Sequence, residues 1–361
     1  MSVYNGSSDY LKESIDSVLK QSFSDFEFII IDDFSSDDSW SVLSDYSEHD
    51  SRIRLFRNSQ NMGLTKSLNK GLSLAKGEYI ARQDADDISM LQRFEKQVAW
   101  FNKHPETVLI SSEIQRIRPN GTLGNISDRS CPSDLLSWHL LFHNHLGGHS
   151  QVMFRREPVV NLGGYNEAYR YSQDYELWCR LVKVGQLSIL PEALLQQRFH
   201  DASVSARKRT EQRTLVFEQV AHNIKQLTGK TLSLTDVEKL QHFWSIDKDT
   251  KVERFPKTEI ASYLSHQLNI VYQAYVTQKP AKIKQSLRVV IGQKFLDWVN
   301  ILSLRRQPFA KIQIYLLALR WSPKQAIEQW PIILGKTARY SSSRVSACAM
   351  QESTSEISHS A

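Results

Sequence analysis

An apolar strand that runs straight into a cluster of carboxylates constrains the fold of this chain more than any other feature. Residues 79–81 read Tyr-Ile-Ala, and Asp84, Asp86 and Asp87 follow them closely. Carboxylates at the C-terminal end of a strand lie where open α/β sheets bind ligands. Close carboxylates repel one another unless a cation joins them, and Mg²⁺ and Mn²⁺ prefer oxygen ligands. The alternative is an acidic helix N-terminus, because Asp is favoured there.

The N-terminal third of the chain alternates between strand and helix patterns. Strands are predicted at residues 26–31, 52–56, 78–81 and 107–112, and helices at residues 11–19, 64–72 and 90–103. In the last of these helices, the residues expected to face the core are Leu91, Phe94, Val98 and Phe101. Such alternation predicts βαβ units and a parallel sheet. The strand ends at Asp33 and Asp84 then meet at one edge, which favours a cleft for a metal and a nucleotide.

A third acidic position lies in the less regular segment 113–205. The helix predicted from Ser172 to Leu181 carries Asp174 in its first turn. This carboxylate is either a helix cap or a general base that faces the cleft. Trp178 in the same helix is either a core residue at helical spacing or a ring that stacks on a sugar. Upstream, His149 is expected to be structural or to face an acceptor.

Beyond residue 206 the alternation stops, and the C-terminal region is predicted to be helical. Its basic segment, residues 279–344, contains thirteen Lys and Arg residues against two acids, a net charge of +11. These cations are mixed with Leu, Ile and Trp, which is typical of a helix on an anionic membrane surface. A solvated face of a packed helix is the alternative. The predicted regions are therefore 1–205, with the alternating pattern, 206–340, helical, and 341–361, a serine-rich disordered tail.

Composition excludes several classes of protein. Cys131, Cys179 and Cys348 are too widely spaced for a disulfide framework or a zinc site, so a reducing cytoplasm is the expected location. No signal peptide is visible, and no apolar run reaches the roughly 18–20 residues that span a bilayer. The net charge of +6 comes with no nucleic-acid-binding motif, so no nucleic-acid partner is expected. The basic segment instead predicts peripheral binding to the inner face of the plasma membrane.

Several short motifs occur in an order that is typical of one family. They are residues 1–6 (Met-Ser-Val-Tyr-Asn-Gly), 21–23 (Gln-Ser-Phe), 30–33 (Ile-Ile-Asp-Asp), 61–64 (Asn-Met-Gly-Leu), 75–81 and 84–87 (Asp-Ala-Asp-Asp). Over residues 1 to about 115 the chain resembles the family 2 glycosyltransferases of the GT-A fold. The resemblance is patchier to about residue 205 and ends there. It implies a Rossmann-like α/β fold, a mostly parallel sheet flanked by helices, which here precedes a helical C-terminal extension.

The resemblance implies where a nucleotide-sugar donor and its metal bind. The residues that it places against the donor are Val3, Tyr4, Asp33, Asp84, Ala85 and Asp86. Asp33 would hold the base or ribose. Asp84 and Asp86 match the family's Asp-x-Asp motif, in which Asp86 binds Mn²⁺ or Mg²⁺ on the donor diphosphate, and Asp87 extends this cluster. The metal would neutralise the diphosphate leaving group as the sugar–oxygen bond breaks.

The same resemblance places Asp174 at the position of the family's catalytic base. The motif usually reads Glu-Asp, and Gln173 precedes the aspartate here. A base at this position would take the proton of the acceptor hydroxyl as it attacks the anomeric carbon opposite the leaving group, so the product would have inverted configuration. Glu176 and His200 are further candidates for the site. His200 would reach the metal or the diphosphate, and its alternative is a plain loop histidine.

Two departures from the family pattern matter. The first strand usually begins several residues earlier, and Ser2 stands where proline is typical. We therefore expect a late start codon or a truncated gene, with ladder groups of the neighbouring strands left unpaired. There is also no Gln-x-x-Arg-Trp motif, so the chain does not resemble the processive polysaccharide synthases. The expected reaction is the transfer of one sugar, with a UDP-sugar as the expected donor. Its acceptor would be a glycan or polyprenyl-linked and belong to bacterial surface-polysaccharide synthesis, as in lipopolysaccharide or capsule.

Two other functions fit parts of the sequence. An inactive nucleotide-sugar-binding module would result if the short first strand abolished activity. A sugar nucleotidyltransferase would share the α/β cleft and the metal, but those enzymes usually carry a glycine-rich phosphate loop after the first strand, and this chain has none there.

Overall fold

The computed structural model describes residues 1–6, 8–199, 208–244, 258–302 and 307–333. The chain divides into two compact units, one formed by Met1–Ser245 with Leu268–Ile283 and the other by Ile246–Gln267 with Lys284–Ala361. His200 and the predicted tail at 341–361 lie outside the described residues.

The first sheet consists of three parallel strands in the order β1–β2–β3. These strands are β1 (Ser2–Val3), β2 (Phe28–Asp32) and β3 (Ile53–Arg57). The helices that alternate with them are α1 (Ser8–Leu19), α2 (Ser39–His49) and α3 (Leu64–Leu74). One core joins Leu11 and Ile15 of α1 to Ile30 of β2 and Leu43 of α2. The apolar runs and the helical spacing of the sequence predict this part of the fold, because each helix returns the chain for a parallel strand.

The second sheet is mixed. Its strands are β4 (Tyr79–Ala81), β5 (Ile88–Ser89), β6 (Thr107–Ile117), β7 (Leu123–Ile126), β8 (Met153–Arg155) and β9 (Gln186–Arg198). The helices among them are α4 (Arg93–Lys103), α5 (Ser133–His139), α6 (Arg156–Asn161) and α7 (Gln173–Leu181). The strand order is β4–β8–β6–β9–β5, with β7 beside β6, and only the β6–β9 pairing is parallel. The predicted α/β class is confirmed, but the pairing is not mostly parallel, because β8 enters antiparallel between β4 and β6.

Helix α4 begins later than predicted, and one predicted core position is therefore wrong. Leu91 precedes the helix and is 60% exposed, whereas Phe94 is buried as predicted. Arg93 is fully buried. Its guanidinium donates to the carbonyl oxygens of Arg82 at 2.8 Å and Val152 at 3.0 Å. A buried hydrogen-bond network thus sets the inward face of this helix, and hydrophobic periodicity does not reveal such a network.

An apolar cavity of about 690 Å³ separates strand β2 from strand β4. Phe28 and Ile29 of β2 line one side, and Tyr79 and Ala81 of β4 line the other. Strand β1 pairs with the C-terminal half of β2 through two residues, and β4 pairs with β8. The edges of the two sheets therefore face a space that no strand of the described residues fills.

The remaining helices confirm the prediction of a helical C-terminal region. They are α8 (Arg209–Thr228), α9 (Leu234–Trp244), α10 (Ala261–Val276), α11 (Ala281–Ile301), α12 (Pro308–Trp321) and α13 (Pro323–Ile333). Helices α8 and α9 group with the first unit, which therefore extends past residue 205. In that unit Asn223 of α8 donates to Leu140 O at 3.1 Å, and the ring of Trp244 packs against Trp138. Each described helix is too short or too polar to cross a lipid bilayer.

Candidate active site

The acidic cluster lies in the loop after β4, and neighbouring elements fix its backbone. The amide of Asp84 donates to Ser150 Oγ at 2.9 Å, and the hydroxyl of Ser14 donates to Asp84 O at 2.7 Å. Ala85 packs against the apolar core. Two of the carboxylates belong to half-buried residues, and the third residue, Asp87, is buried. The loop is therefore an ordered part of the fold that presents acid at the end of a strand.

The helix-cap alternative for this cluster is wrong. Strand β5 separates the cluster from α4, whose N-cap residue is Gln92. The carboxylates act on one another instead. Burial raises the pKa of Asp87 well above its ordinary value, and the charges of Asp84 and Asp86 raise it further. Arg82 forms an ion pair with Asp84 and offsets part of this negative charge.

The donor set of the cluster fits a hard divalent cation, which prefers carboxylate oxygens. Arg198 holds the inner side of the loop, because its amide donates to Asp87 Oδ1 at 2.9 Å and its Nε donates to Asp86 O at 3.1 Å. Asp84 and Asp86 remain as the carboxylates nearer to solvent. A bound cation would relieve the mutual repulsion that the raised pKa of Asp87 reports. These residues would therefore hold Mn²⁺ or Mg²⁺ through oxygen atoms.

Asp33, the predicted contact of base or ribose, holds a loop of its own protein. Its Oδ1 accepts from Asn58 Nδ2 at 2.7 Å and from the amide of Met62 at 2.9 Å. Its Oδ2 accepts from the amide of Gly63 at 2.8 Å, immediately before α3. The side chain is buried, at 2% exposure. Asp33 thereby shapes the wall of the cleft at the end of β2, and its direct contact with a nucleotide stays a prediction.

Two exposed aromatic side chains lie at the same edge of the parallel sheet. Tyr4 follows β1 and is 53% exposed, and Phe34 follows β2 and is 49% exposed. Phe34 has a φ of 66°, a left-handed conformation that a bulky residue rarely adopts. The two loops are joined because the amide of Asn5 donates to Ser35 Oγ at 3.0 Å. The side chain of Val3 is buried in the core, and its contact with a donor stays a prediction.

Asp174 lies at the start of α7, where its carboxylate meets both the helix and a loop. Asn144 Nδ2 donates to Asp174 Oδ2 at 3.0 Å. Burial raises the pKa of Asp174 to about 6, backbone amides at the helix start oppose this shift, and the charge of Asp84 adds to it. The charge of Asp84, the predicted donor-site acid, therefore acts on Asp174. A carboxylate with a pKa near 6 is ionised at neutral pH and matched to proton abstraction.

Two other candidates from α7 do not reach the cleft. Trp178 is fully buried, and its ring packs against His149 and Phe154. The idea that Trp178 stacks on a sugar is therefore wrong, and the alternative of a core residue is correct. Glu176 is buried as well, and it forms an ion pair with Arg180 at 2.7 Å. That ion pair lies within α7, and Asp174 is the half-buried acid of this helix.

Asn144 and Ser150, which no sequence pattern predicted as site residues, act through the predicted ones. Asn144 contacts Asp174, and Ser150 contacts the backbone of Asp84, from a segment without a recognisable pattern. His149 Nε2 lies 2.9 Å from the hydroxyl of Tyr165. Burial and the charge of Arg82 keep the pKa of His149 well below its ordinary value, so this histidine is neutral. These contacts join residues that are far apart in the chain, so the spacing of residues in the sequence does not predict them.

Comparison with known proteins finds relatives of this chain among the glycosyltransferases. The family model of glycosyl transferase family 2 matches residues 1–163. A glycosyltransferase of Methanocaldococcus jannaschii is 34% identical over 203 residues, which are 55% of this chain and 69% of that protein. The O-antigen biosynthesis glycosyltransferase WbnJ of Escherichia coli is 28% identical over 242 residues, which are 65% of this chain and 90% of that protein.

A solved structure shows the same fold. The crystal structure of residues 1–349 of S. aureus TarS in complex with UDP-GlcNAc superposes with a TM-score of 0.51 and 18% sequence identity. The match covers 94% of this chain and 91% of the TarS chain. The likeness therefore includes the helical region as well as the two sheets.

Proposed function

The chain belongs to glycosyl transferase family 2, and from that premise we propose that it transfers one sugar, with inversion, from a nucleotide-sugar donor to a glycan or polyprenyl-linked acceptor. The observation that carries the proposal is the shared environment of two acids. Besides burial, the charge of the Asp-x-Asp carboxylate Asp84 raises the pKa of Asp174, the proposed base, and this supports the proposal that both act at one cleft. The relative that is named for O-antigen biosynthesis supports a role in the synthesis of a surface polysaccharide.

The donor nucleotide is proposed to lie across the ends of β1 and β2. Tyr4 and Phe34 present exposed rings there, and every nucleobase has a face that stacks on an aromatic ring. The loop that Asp33 fixes forms the adjoining wall. The diphosphate would reach the end of β4, where Asp84 and Asp86 supply oxygen ligands. These carboxylates would hold a divalent cation, which would supply positive charge to the leaving diphosphate.

The acceptor hydroxyl is proposed to lose its proton to Asp174. The amide of Asn144 holds one carboxylate oxygen, Oδ2, and so orients the other toward the acceptor. The attacking oxygen then forms its bond to the anomeric carbon while the bond to the diphosphate oxygen breaks on the opposite face. The proton ends on Asp174, the electron pair leaves with the nucleoside diphosphate, and the sugar is inverted.

Calorimetric titration tests the donor half of this proposal. UDP and GDP are titrated separately into the purified chain, each with Mn²⁺ and with EDTA. We expect UDP to bind, and to bind only with the metal, because the carboxylates alone repel a diphosphate. Binding of GDP in place of UDP would correct the donor class. A folded chain that binds neither nucleotide would instead be the inactive module.

The basic C-terminal segment is proposed to bind an anionic membrane surface. On α12 the side chains of Phe309, Ile312 and Leu316 recur on one face and are exposed by 87%, 48% and 58%. Exposed apolar residues beside excess cations are the two features of helices that lie in a membrane interface. This would place the protein at the inner face of the plasma membrane, where polyprenyl-linked acceptors are found.

Co-sedimentation with liposomes checks the membrane surface. We expect the chain to bind vesicles that contain an anionic lipid. The triple variant Phe309→Ser, Ile312→Ser, Leu316→Ser should bind at least tenfold more weakly, because burial of even one such apolar side chain contributes on the order of 1.5 kcal/mol and about 1.4 kcal/mol is a tenfold change in affinity. The matched control is Leu123→Ser with Ile126→Ser, which removes exposed apolar groups from β7. Equal loss in the control would refute a specific surface on α12.

A further inference from the structure

A second group of metal-binding side chains lies away from the acidic cluster. Cys131 precedes α5, His139 ends that helix, and His145 follows six residues later. Each offers a sulfur or nitrogen atom, and these three atoms lie within 4.8 Å of one another. All three residues are half-buried. The spacing of the cysteines did not predict this group, because the neighbours of Cys131 in it are histidines.

We propose that Cys131, His139 and His145 bind a zinc ion. A thiolate and two imidazoles are soft and borderline donors, which suit Zn²⁺, whereas the Asp-x-Asp carboxylates suit Mn²⁺ or Mg²⁺. Bonds of about 2.0 Å to nitrogen and 2.3 Å to sulfur separate the ligand atoms of a tetrahedral zinc ion by about 3.3–3.5 Å. The three ligand atoms lie within 4.8 Å of one another, and they reach that separation when the stacked rings of His139 and His145 reorient.

His145 is oriented as a metal ligand. Its Nε2 lies 3.0 Å from the carbonyl oxygen of Arg129, to which it donates. The proton on Nε2 leaves the lone pair on Nδ1, and a carbonyl that fixes the tautomer in this way commonly supports a ligating histidine. His143 Nε2 lies 3.1 Å from that Nδ1, close to the separation of two nitrogen ligands on one zinc ion. His143 is thus placed for the fourth position.

His139 must exchange one partner for the metal. The indole Nε1 of Trp244 donates to His139 Nδ1 at 2.9 Å, so that nitrogen holds the lone pair of the neutral ring. Zinc at Nδ1 replaces this hydrogen bond and releases the indole of Trp244. Metal binding is therefore expected to change tryptophan fluorescence as well as metal content.

The consequence of this site concerns the loop between its ligands. Asn144 stands between His143 and His145 and donates to Asp174. Zinc would fix the backbone on either side of Asn144, so it would steady the contact to the base. Only this consequence rests on the proposed function. Binding of the metal does not, and its test requires no sugar transfer.

Cobalt substitution tests the site on the full-length protein. The metal-free chain is titrated with Co²⁺, whose tetrahedral thiolate complexes absorb visible light and show a sulfur-to-metal charge-transfer band. We expect one equivalent of Co²⁺ to produce both bands, and one equivalent of Zn²⁺ to abolish them. The protein as purified should contain one zinc ion per chain by elemental analysis.

Three variants decide the ligands. Cys131→Ser should lose the charge-transfer band, and His145→Asn should weaken cobalt binding at least tenfold while retaining its thermal unfolding midpoint. The matched control Cys179→Ser, at a buried thiol outside the cluster, should keep both bands. An unchanged spectrum in Cys131→Ser, or no tetrahedral spectrum in the folded wild-type chain, would overturn the proposal. If the wild-type chain shows both cobalt bands but does not bind UDP, the proposed function is contradicted and the zinc site is not.

Discussion

Asp174→Asn is expected to lower kcat for sugar transfer by about 10²–10⁴-fold and to leave UDP binding unchanged. A positioned general base contributes rate of this order. The amide keeps the size of the carboxylate and can still meet Asn144, but it cannot accept the proton of the acceptor hydroxyl. The measurement is single-turnover transfer to an acceptor together with calorimetry of UDP and Mn²⁺.

The raised pKa of Asp174 also predicts how the rate of the wild-type enzyme depends on pH. Burial raises the pKa of Asp174 to about 6, and the base acts in its ionised form. The rate should therefore rise with pH and level off above about 6, and the variant should lose this limb of the profile. Because the pKa of Asp174 is raised in the folded protein, its ionisation lowers the free energy of unfolding. This loss develops as the pH rises from about 4 to about 6. At pH 7 the amide variant should unfold at no lower temperature than the wild type.

Glu157→Gln is the matched control for this variant. Glu157 is an exposed acid in the first turn of α6, so its amide removes a charge at a helix start without touching the cleft. It should keep both the rate and the pH limb. If Asp174→Asn retained the wild-type rate, or if the control lost as much, Asp174 would be a helix cap and the base would lie elsewhere.

Patterns in the sequence predicted the parts of the fold that depend on local spacing. Apolar runs and helical faces predicted β2, β3 and the helices around them, because each of these elements buries one continuous side. The acidic site at the end of β4 was also predicted from local spacing, because Asp84 and Asp86 closely follow a strand. The resemblance to the family added the role of Asp174, which spacing alone left open between a cap and a base.

The rest depends on contacts between distant residues. Strand β8 joins the second sheet in the antiparallel direction, and nothing in its three residues encodes that direction. Arg93 is fully buried in α4, and hydrophobic periodicity does not predict a buried arginine. Asn144 reaches Asp174 across 30 residues of chain. Cys131 meets its histidine neighbours only after α5 has formed, so cysteine spacing pointed away from a zinc site.

Asp86→Asn is expected to weaken metal-dependent UDP binding by about 100-fold. A metal bridge to a diphosphate contributes several kcal/mol, and a loss of about 3 kcal/mol corresponds to a factor of this size in Kd. The amide keeps the shape of the side chain but removes the charge that attracts the cation. Calorimetry with Mn²⁺ measures the loss, and the residual binding should match that of the wild type in EDTA.

A control variant shows whether Asp86 acts as a metal ligand or only as part of an acidic surface. Asp9→Asn is the matched control, because Asp9 is an exposed acid in the first turn of α1. It changes net charge equally and should bind UDP with Mn²⁺ as the wild type does. If Asp86→Asn and Asp9→Asn weaken binding alike, the cation acts through the overall field of the protein. If neither does, Asp86 is not a ligand, and Asp84 would have to hold the metal without it.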